Sequence, residues 1–161
     1  MFDVLLISTG DITVTAKNGL KIIAHHTIKE INSLDILLIP GGKGARPLVN
    51  NSEFIEWVRS VSQGCELVLS VCTGALLLAK AGILDGLKAT THHQAYHELR
   101  EIITDTKIVE EGQRFVDNGR VITSGGISAG IDMSFHVIER LYGKDAAERT
   151  SDYMEYRRVI E

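Results

Sequence analysis

The sequence predicts an α/β fold of three layers, in which a mostly parallel, doubly wound sheet of the flavodoxin type lies between helices. Short, nearly continuous apolar runs at residues 2–8 (FDVLLIS), 34–40 (LDILLIP) and 66–71 (ELVLSV) are typical of strands that are buried on both faces of a parallel sheet. Helical segments at residues 50–64 and 73–81 follow the second and third of these runs. This alternation of strands and helices favours the α/β class.

The later elements follow from the same periodicities. Residues 86–92 (GLKATTH) predict another strand, and residues 94–103 (QAYHELREII) predict a helix. Residues 125–143 predict a long helix that ends on a glycine, and residues 144–158 predict a last amphipathic helix. The order of elements therefore remains strand, helix, strand, helix.

Two Asn-Gly pairs predict tight hairpins. Asn18-Gly19 lies at the centre of residues 12–24, whose side chains alternate, and Asn118-Gly119 lies within residues 114–123. Asn-Gly tolerates the positive φ angles of a two-residue hairpin turn. The first pair predicts a two-stranded flap.

Length and composition indicate one ordinary globular domain over residues 1–161. Of the residues, 44% are hydrophobic and 24% are charged. No apolar run approaches the roughly 18 to 20 residues of a membrane-spanning helix, and the first residues do not resemble a signal peptide. With a net charge of -4 and scattered cations, we expect a cytoplasmic protein whose partner is a small molecule rather than a nucleic acid or a membrane.

The chain has two cysteines, Cys65 and Cys72. Two thiols do not form a disulfide framework, and we expect both to be reduced. No spacing of cysteines or histidines of the zinc-binding type occurs, so we expect no metal and no cofactor.

Three unusual segments come directly after predicted strands: PGGKGA (residues 40–45), CTGA (residues 72–75) and SGGISAG (residues 124–130). Ligands of open α/β sheets bind beyond the carboxyl ends of the strands. We therefore expect the three segments to form one pocket, with Gly125, Gly126 and Ile127 in its wall.

Cys72 is the candidate nucleophile. A thiol between the end of a strand and the first turn of a helix lies near unpaired amides and the positive end of the helix dipole, which favour the thiolate. The alternative is that Cys72 is a small buried apolar residue, and its position favours the chemical role. Cys65 lacks this placement and is predicted to be structural. Amides near Gly41, Gly42 and Thr73 would form an oxyanion hole.

Together, residues 34–42 (LDILLIPGG), 70–92 (SVCTGALLLAKAGILDGLKATTH) and 123–143 (TSGGISAGIDMSFHVIERLYG) resemble the ThiJ/PfpI superfamily of class I glutamine amidotransferase-like proteins. The resemblance is closest to its isocyanide hydratase-like branch and extends from residue 2 to about residue 156. It implies a homodimer in which Cys72 is a nucleophile on a strained elbow.

The resemblance also implies roles for neighbouring residues. The amides of Gly42 and Thr73 would hold a developing anion, while the thiolate attacks an isocyanide carbon and water addition releases an N-formamide. His92 matches a family histidine near the nucleophile, although a structural role is the alternative. Thr73 stands where peptidase-like members have a histidine, which disfavours a peptidase. His93 stands where isocyanide hydratases have an aromatic residue, which leaves the substrate open.

The other polar candidates are predicted to be structural. We expect Asp132 to support the start of its helix, where a carboxylate suits the dipole, and His136 to pack in the core or at its rim. The predicted surface histidines are His25, His26 and His97.

Members of the family begin with a further strand and helix, about 40 residues by the usual domain size, and that helix carries the acid that partners the cysteine. No residue here matches the acid. We therefore expect a truncation and an empty slot between residues 2–8 and 34–39. An upstream segment, a segment swapped from another chain or direct pairing of those two strands must fill it.

Two classes of function remain open at this point. The first is a cysteine-dependent hydratase or hydrolase for a small electrophile, with a glyoxalase or deglycase activity as a further enzymatic possibility. The second is a ligand- or oxidation-sensing domain without turnover, as in the similar domain of arabinose-regulator-type transcription factors.

Overall fold

The computed structural model describes residues 2–105 and 108–158. The strands are β1 (Ile7–Ser8), β2 (Thr13–Thr15), β3 (Lys21–Ile23), β4 (His26–Thr27), β5 (Ile36–Ile39), β6 (Leu67–Val71), β7 (Phe115–Asp117) and β8 (Val121–Ser124). The helices are α1 (Ala45–Leu48), α2 (Ser52–Ser62), α3 (Gly74–Lys80), α4 (Tyr96–Ile102), α5 (Ser128–Tyr142) and α6 (Lys144–Tyr153), and a 3₁₀ turn (His93–Ala95) precedes α4.

The central sheet has the order β5-β6-β8-β7. The pairs β5-β6 and β6-β8 are parallel, and β7 is antiparallel to β8. The predicted α/β class with a mostly parallel sheet is therefore confirmed. Two smaller sheets lie apart from it: β1 pairs in parallel with β4, and β2 pairs antiparallel with β3.

Side chains of β6 alternate between two apolar clusters, one on each face of the sheet. Val68 belongs to the cluster that includes Val58 of α2 and Leu77 of α3. Leu67 and Leu69 belong to the cluster that includes Met133 of α5. Helices therefore cover both faces, as expected for a strand that is apolar along its whole length.

Several helices and turns lie where local sequence signals predict them. The Asn51 side chain accepts a hydrogen bond from the Phe54 amide at 2.9 Å and caps α2. β2 pairs antiparallel with β3, and β7 with β8, so both hairpins are confirmed. Gly19 and Gly119 have φ values of 85° and 82°, whereas Asn18 and Asn118 do not have positive φ values, so the turns are not of the predicted two-residue Asn-Gly type. A long helix that ends at Gly143 is also confirmed.

Two strand predictions are wrong in extent. In residues 2–8 only β1 forms, and Val4 and Leu6 are exposed. In residues 86–92 the backbone makes a single bridge, between Ala89 and Val109. The Thr90 amide faces away from this bridge and donates to the Thr123 side chain at 2.9 Å, so on that side the segment contacts β8 through a side chain rather than through a backbone ladder.

Residues 2–8 and 34–39 do not pair with each other. β1 pairs with β4, and among the described residues no strand pairs with the second edge of β5. The prediction that residues 34–40 are buried on both faces is therefore wrong at Leu38, which is 43% exposed. Within the described part of the chain, no helix is both long and apolar enough to cross a membrane.

Candidate active site

Cys72 lies in a sharp turn between β6 and α3. Its φ is 58°, in the left-handed region that residues with a side chain rarely adopt. Such a conformation costs on the order of 1 to 3 kcal/mol and persists only when surrounding contacts impose it. A strained strand-to-helix turn of this kind places a side chain at the carboxyl edge of the sheet, where nucleophiles of other α/β enzymes lie.

Main-chain contacts impose this conformation from two neighbouring segments. The Cys72 amide donates to the carbonyl oxygens of Ser124 at 3.0 Å and Gly125 at 3.1 Å. The Thr91 hydroxyl donates to the Cys72 carbonyl at 2.8 Å. The backbone at Cys72 is therefore fixed on both sides of its Cα atom.

The loop after β5 packs directly on this turn. A Cβ atom at Gly41 would lie 2.7 Å from Cys72 Cβ and 2.8 Å from the Thr73 amide nitrogen, so only glycine fits without displacement. Gly42 has a φ of 126°. The predicted convergence of the first two segments on one place is therefore observed.

The amides of the predicted oxyanion hole differ in their partners. The Gly42 amide donates to the Thr73 hydroxyl at 2.9 Å, so it is already engaged. The Thr73 amide comes immediately before α3, where first-turn amides have no acceptor within the helix. An anion at this place would bind the Thr73 amide first and would need the Thr73 hydroxyl to turn away before the Gly42 amide became available.

His92 lies beside the third segment. A Cβ atom at Gly126 would be 2.3 Å from His92 Cδ2, so the imidazole packs on bare backbone. His92 Nδ1 accepts from the Gln94 amide at 3.3 Å, and its ring lies 4.3 Å from that of His93. Ile127, at the start of α5, has a φ of 49° and is 82% exposed.

The pair that Arg46 forms with Glu98 was not predicted from the sequence. Arg46, on α1, makes two hydrogen bonds to the Glu98 carboxylate of α4, at 2.8 and 2.7 Å. The hydrogen bond with Glu98 and its charge raise the pKa of Arg46, and the charge of Cys72 acts in the same direction. The Glu98 carboxylate is the main cause, and it balances the charge of Arg46. The sequence feature that could have pointed to Arg46 is its position directly after the glycine-rich loop of residues 40–45.

The sequence pattern that defines the DJ-1/PfpI family matches residues 1–140. The chain belongs to the DJ-1/PfpI family. It is 36% identical over 145 residues to an isonitrile hydratase of Pseudomonas putida, a match that covers 90% of this chain and 62% of that protein. It is 27% identical over 146 residues to the HTH-type transcriptional regulator CdhR of Pseudomonas aeruginosa, with 91% of this chain and 43% of the regulator covered.

A solved structure of a ThiJ/PfpI family protein from Pseudomonas syringae has the same fold. Its TM-score is 0.87 at 26% identity, and the match covers 98% of this chain and 64% of that one. This DJ-1/PfpI chain thus spans less than two thirds of the length of these relatives, and their whole-protein activities are not established for it by the likeness.

The second thiol of this DJ-1/PfpI chain lies in a different environment. Cys65 is 4% exposed, and its Sγ donates to the Val61 carbonyl at 3.3 Å. Burial raises the pKa of the Cys65 thiol, which disfavours the reactive thiolate. Cys72 is half-buried and has no such shielding.

We expect iodoacetamide to modify Cys72 at least about tenfold faster than Cys65 at pH 6 to 7, because the thiolate is the reacting form and a raised pKa depletes it at these pH values. Mass spectrometry of quenched digests gives both rates in one experiment. As the pH rises toward the pKa of Cys65, the difference between the two alkylation rates should become smaller. Equal labelling rates of Cys65 and Cys72 at pH 6 would contradict the assignment of Cys72 as the reactive thiol.

The remaining polar candidates lie outside this turn. The expectation that Asp132 supports the helix start is wrong: it is buried in the second turn of α5, where it binds Arg114 and accepts from the Tyr156 hydroxyl at 2.9 Å. His136 Nε2 lies 2.7 Å from Asp117 Oδ2. His25 and His97 are exposed, whereas His26 is half-buried in β4.

Within residues 2–105 and 108–158, no three histidine, cysteine, aspartate or glutamate side chains are close enough to hold a metal ion. A separate depression of about 540 Å³ lies at the opposite end of the sheet. Its two principal cations, Arg59 and Arg120, already donate to backbone carbonyl oxygens. The chemistry at Cys72 therefore remains the best candidate.

Proposed function

We propose that this protein is a cysteine-dependent hydratase or hydrolase for a small electrophilic molecule, with the hydration of an isocyanide to an N-formamide as its reaction. The observation that carries the proposal is Cys72, a partly exposed thiol held at a φ of 58° where three glycine-containing segments meet.

In the proposed reaction, the Cys72 thiolate donates an electron pair to the terminal carbon of the isocyanide and forms a carbon–sulfur bond. A proton from water is taken up at that carbon, which yields a thioimidate. Water then adds across the carbon–nitrogen double bond, with its hydroxyl on the same carbon and its proton on the nitrogen. The hydroxyl proton passes to the hydroxide left by the first proton transfer, the carbon–sulfur bond breaks, and the thiolate leaves. One water molecule is consumed overall, and the product is the N-formamide.

The neighbouring residues have separate parts in this proposal. The Thr73 amide stabilises the oxygen anion that forms when water adds, and the Gly42 amide joins it once the Thr73 hydroxyl rotates. His92 is the candidate for proton transfer, because its Nδ1 accepts from Gln94 and Nε2 then carries the proton of the neutral ring. In this proposal Ile127, which is 82% exposed, and the two glycines before it contact the apolar part of the substrate.

The similarity to an isonitrile hydratase favours this chemistry within the family, since isonitrile is another word for isocyanide. His93 and Gln94 are exposed polar residues that follow His92 on the turn before α4. We therefore propose a polar rather than a purely aromatic substituent on the substrate. We also propose that the working form is a homodimer.

A second candidate function is a sensing domain without turnover. Among the described residues, no carboxylate or imidazole makes a hydrogen bond with Cys72 Sγ, and general acid or base assistance is worth roughly a hundred- to ten-thousandfold. The likeness to the regulator CdhR fits this reading. In that case Cys72 would react with an electrophile or oxidant once and remain modified.

The two candidates differ in turnover. Purified protein is incubated with a tenfold excess of polar and apolar isocyanides, and separately with 2-oxoaldehydes, while liquid chromatography follows products. We expect many equivalents of N-formamide from an isocyanide. A single equivalent of adduct on Cys72 would establish the sensing function instead, and a 2-hydroxy acid from an oxoaldehyde would establish a glyoxalase-type activity.

A further inference from the structure

The depression of about 540 Å³ lies beside the amino-terminal ends of β6 and β8. Cys72 follows the opposite, carboxyl end of β6. The lining comes from the ends of α2 and α3, from the turn after α3 and from Arg120, which directly precedes β8. Pockets that take small organic molecules commonly have volumes of roughly 300 to 1,000 Å³. The depression is therefore large enough for a small ligand and shares no residue with the turn at Cys72.

Arg120 has one guanidinium nitrogen that is fixed and one edge that is free. Its Nη1 donates to the carbonyl oxygens of Ser62 at 2.7 Å and Cys65 at 3.3 Å. Among the described residues, Nε and Nη2 of Arg120 make no hydrogen bond, and no carboxylate pairs with this side chain. Nε–H and Nη2–H form the edge of a guanidinium that binds a carboxylate through two parallel hydrogen bonds. Arg120 therefore presents a carboxylate-binding edge that is already held in place.

Arg59 is the second cation of the depression, and its charge is balanced. Its Nε donates to the Ala81 carbonyl at 3.2 Å, and its Nη1 donates to the Glu56 carboxylate at 2.5 Å. Arg120 has no such acidic partner in the described part of the chain. The uncompensated positive charge of the depression is therefore that of Arg120.

Asp85 supplies an uncompensated negative charge to the same depression. It lies in the turn after α3, and within residues 2–105 and 108–158 its carboxylate forms no hydrogen bond and no ion pair. The depression thus carries one positive and one negative group that do not bind each other. Ala81 and Ile83 add apolar surface between the polar groups, and Ile83 packs against the core cluster.

We propose that this depression binds an α-amino acid with an aliphatic side chain, in its zwitterionic form. The ligand carboxylate would accept two hydrogen bonds from Nε and Nη2 of Arg120, and its ammonium would donate to Asp85. Its side chain would contact Ala81 and Ile83. Asp85 disfavours a simple anion and Arg120 disfavours a simple cation, whereas a zwitterion has a partner for each. The proposal is independent of the chemistry at Cys72.

The test compares L-leucine with two analogues by isothermal titration calorimetry of the full chain. Isocaproate has the same carbon skeleton without the ammonium group, and isoamylamine has it without the carboxylate. We expect saturable binding of L-leucine in the millimolar range or tighter. Each analogue should bind at least about tenfold more weakly, because it leaves Asp85 or Arg120 without its charged partner.

Three variants locate the site. Asp85→Asn should weaken the binding of L-leucine by at least about tenfold, since a neutral amide cannot form an ion pair with the ammonium group. Arg120→Lys should have an effect of at least this size, because lysine keeps the charge and lacks the planar edge. Asp152→Asn is the matched control: it lies exposed on α6, which packs on α5 at the other face of the sheet, and should change binding by less than about twofold.

Three results would overturn the proposal. The first is the absence of saturable L-leucine binding. The second is binding of isocaproate or isoamylamine as tight as that of L-leucine, which would indicate a site for a simple anion or cation. The third is equal binding of L-leucine by Asp85→Asn and Asp152→Asn.

Discussion

Replacement of Cys72 with serine should lower kcat/KM for isocyanide hydration by at least about a thousandfold, because a serine hydroxyl is not ionised at neutral pH and cannot replace the thiolate as nucleophile. The fold should survive, since the Cys72 backbone is held by Ser124, Gly125 and Thr91 rather than by its sulfur. The measurement is turnover of the best substrate from the isocyanide panel, together with the thermal unfolding midpoint.

Cys65→Ser is the matched control for this prediction. Cys65 is the other thiol, and its sulfur is buried in the core and bonded to the Val61 carbonyl. The variant should lose some stability because a hydroxyl replaces a buried sulfur, yet it should keep most of its turnover per folded molecule. Full activity in Cys72→Ser would mean that water is activated elsewhere.

A methyl group at Gly74 should reduce the free energy of unfolding by about 3 kcal/mol or more, at the upper end of overpacking effects. Its Cβ would lie 2.1 Å from the Ile39 carbonyl oxygen and 3.0 Å from the carbonyl carbon. These are backbone atoms of the central sheet, so no side chain can rotate aside. α3 would have to move away from β5, and Cys72 would move with it.

Gly44→Ala is the matched control for Gly74→Ala. Gly44 has a φ of -67° and no atom within 4 Å of the position a Cβ would take. This substitution should be neutral or stabilise by up to about 1 kcal/mol, because alanine restricts the unfolded chain more than glycine does. Urea denaturation of both variants measures the contrast. A small loss for Gly74→Ala would show that α3 and β5 are less tightly joined than described.

Features with a local cause could be predicted from the sequence. The Asn-Gly hairpins, the Asn51 cap and the apolar strand before Cys72 each depend on residues within a few positions of one another. The short extent of β1 could not be predicted this way, because the pattern of residues 2–8 predicts burial, and burial depends on whether strands from elsewhere lie on both sides.

The candidate site also has some features that could be predicted from the sequence and others that could not. The place of Cys72 and the close approach of Gly41 follow from strand ends that meet at one edge of a parallel sheet. The Arg46–Glu98 pair joins two short helices that are far apart in sequence, and the Arg114–Asp132 pair joins a hairpin to α5. No periodicity relates the members of these pairs, so the interpretation of Asp132 as a helix-start residue was wrong.

The way in which the backbone of Cys72 is held affects how related proteins can diverge in function. The Cys72 amide donates to two carbonyl groups, and the Cys72 carbonyl accepts from the Ala75 amide and the Thr91 hydroxyl, so that only the Thr91 contact comes from a side chain. Under the proposed function, replacements at positions such as His92, His93 or Ile127 would therefore change which substrate binds while the sulfur stays in place. A lineage can pass from one substrate to another, or from turnover to signalling, through single substitutions that each leave a folded protein.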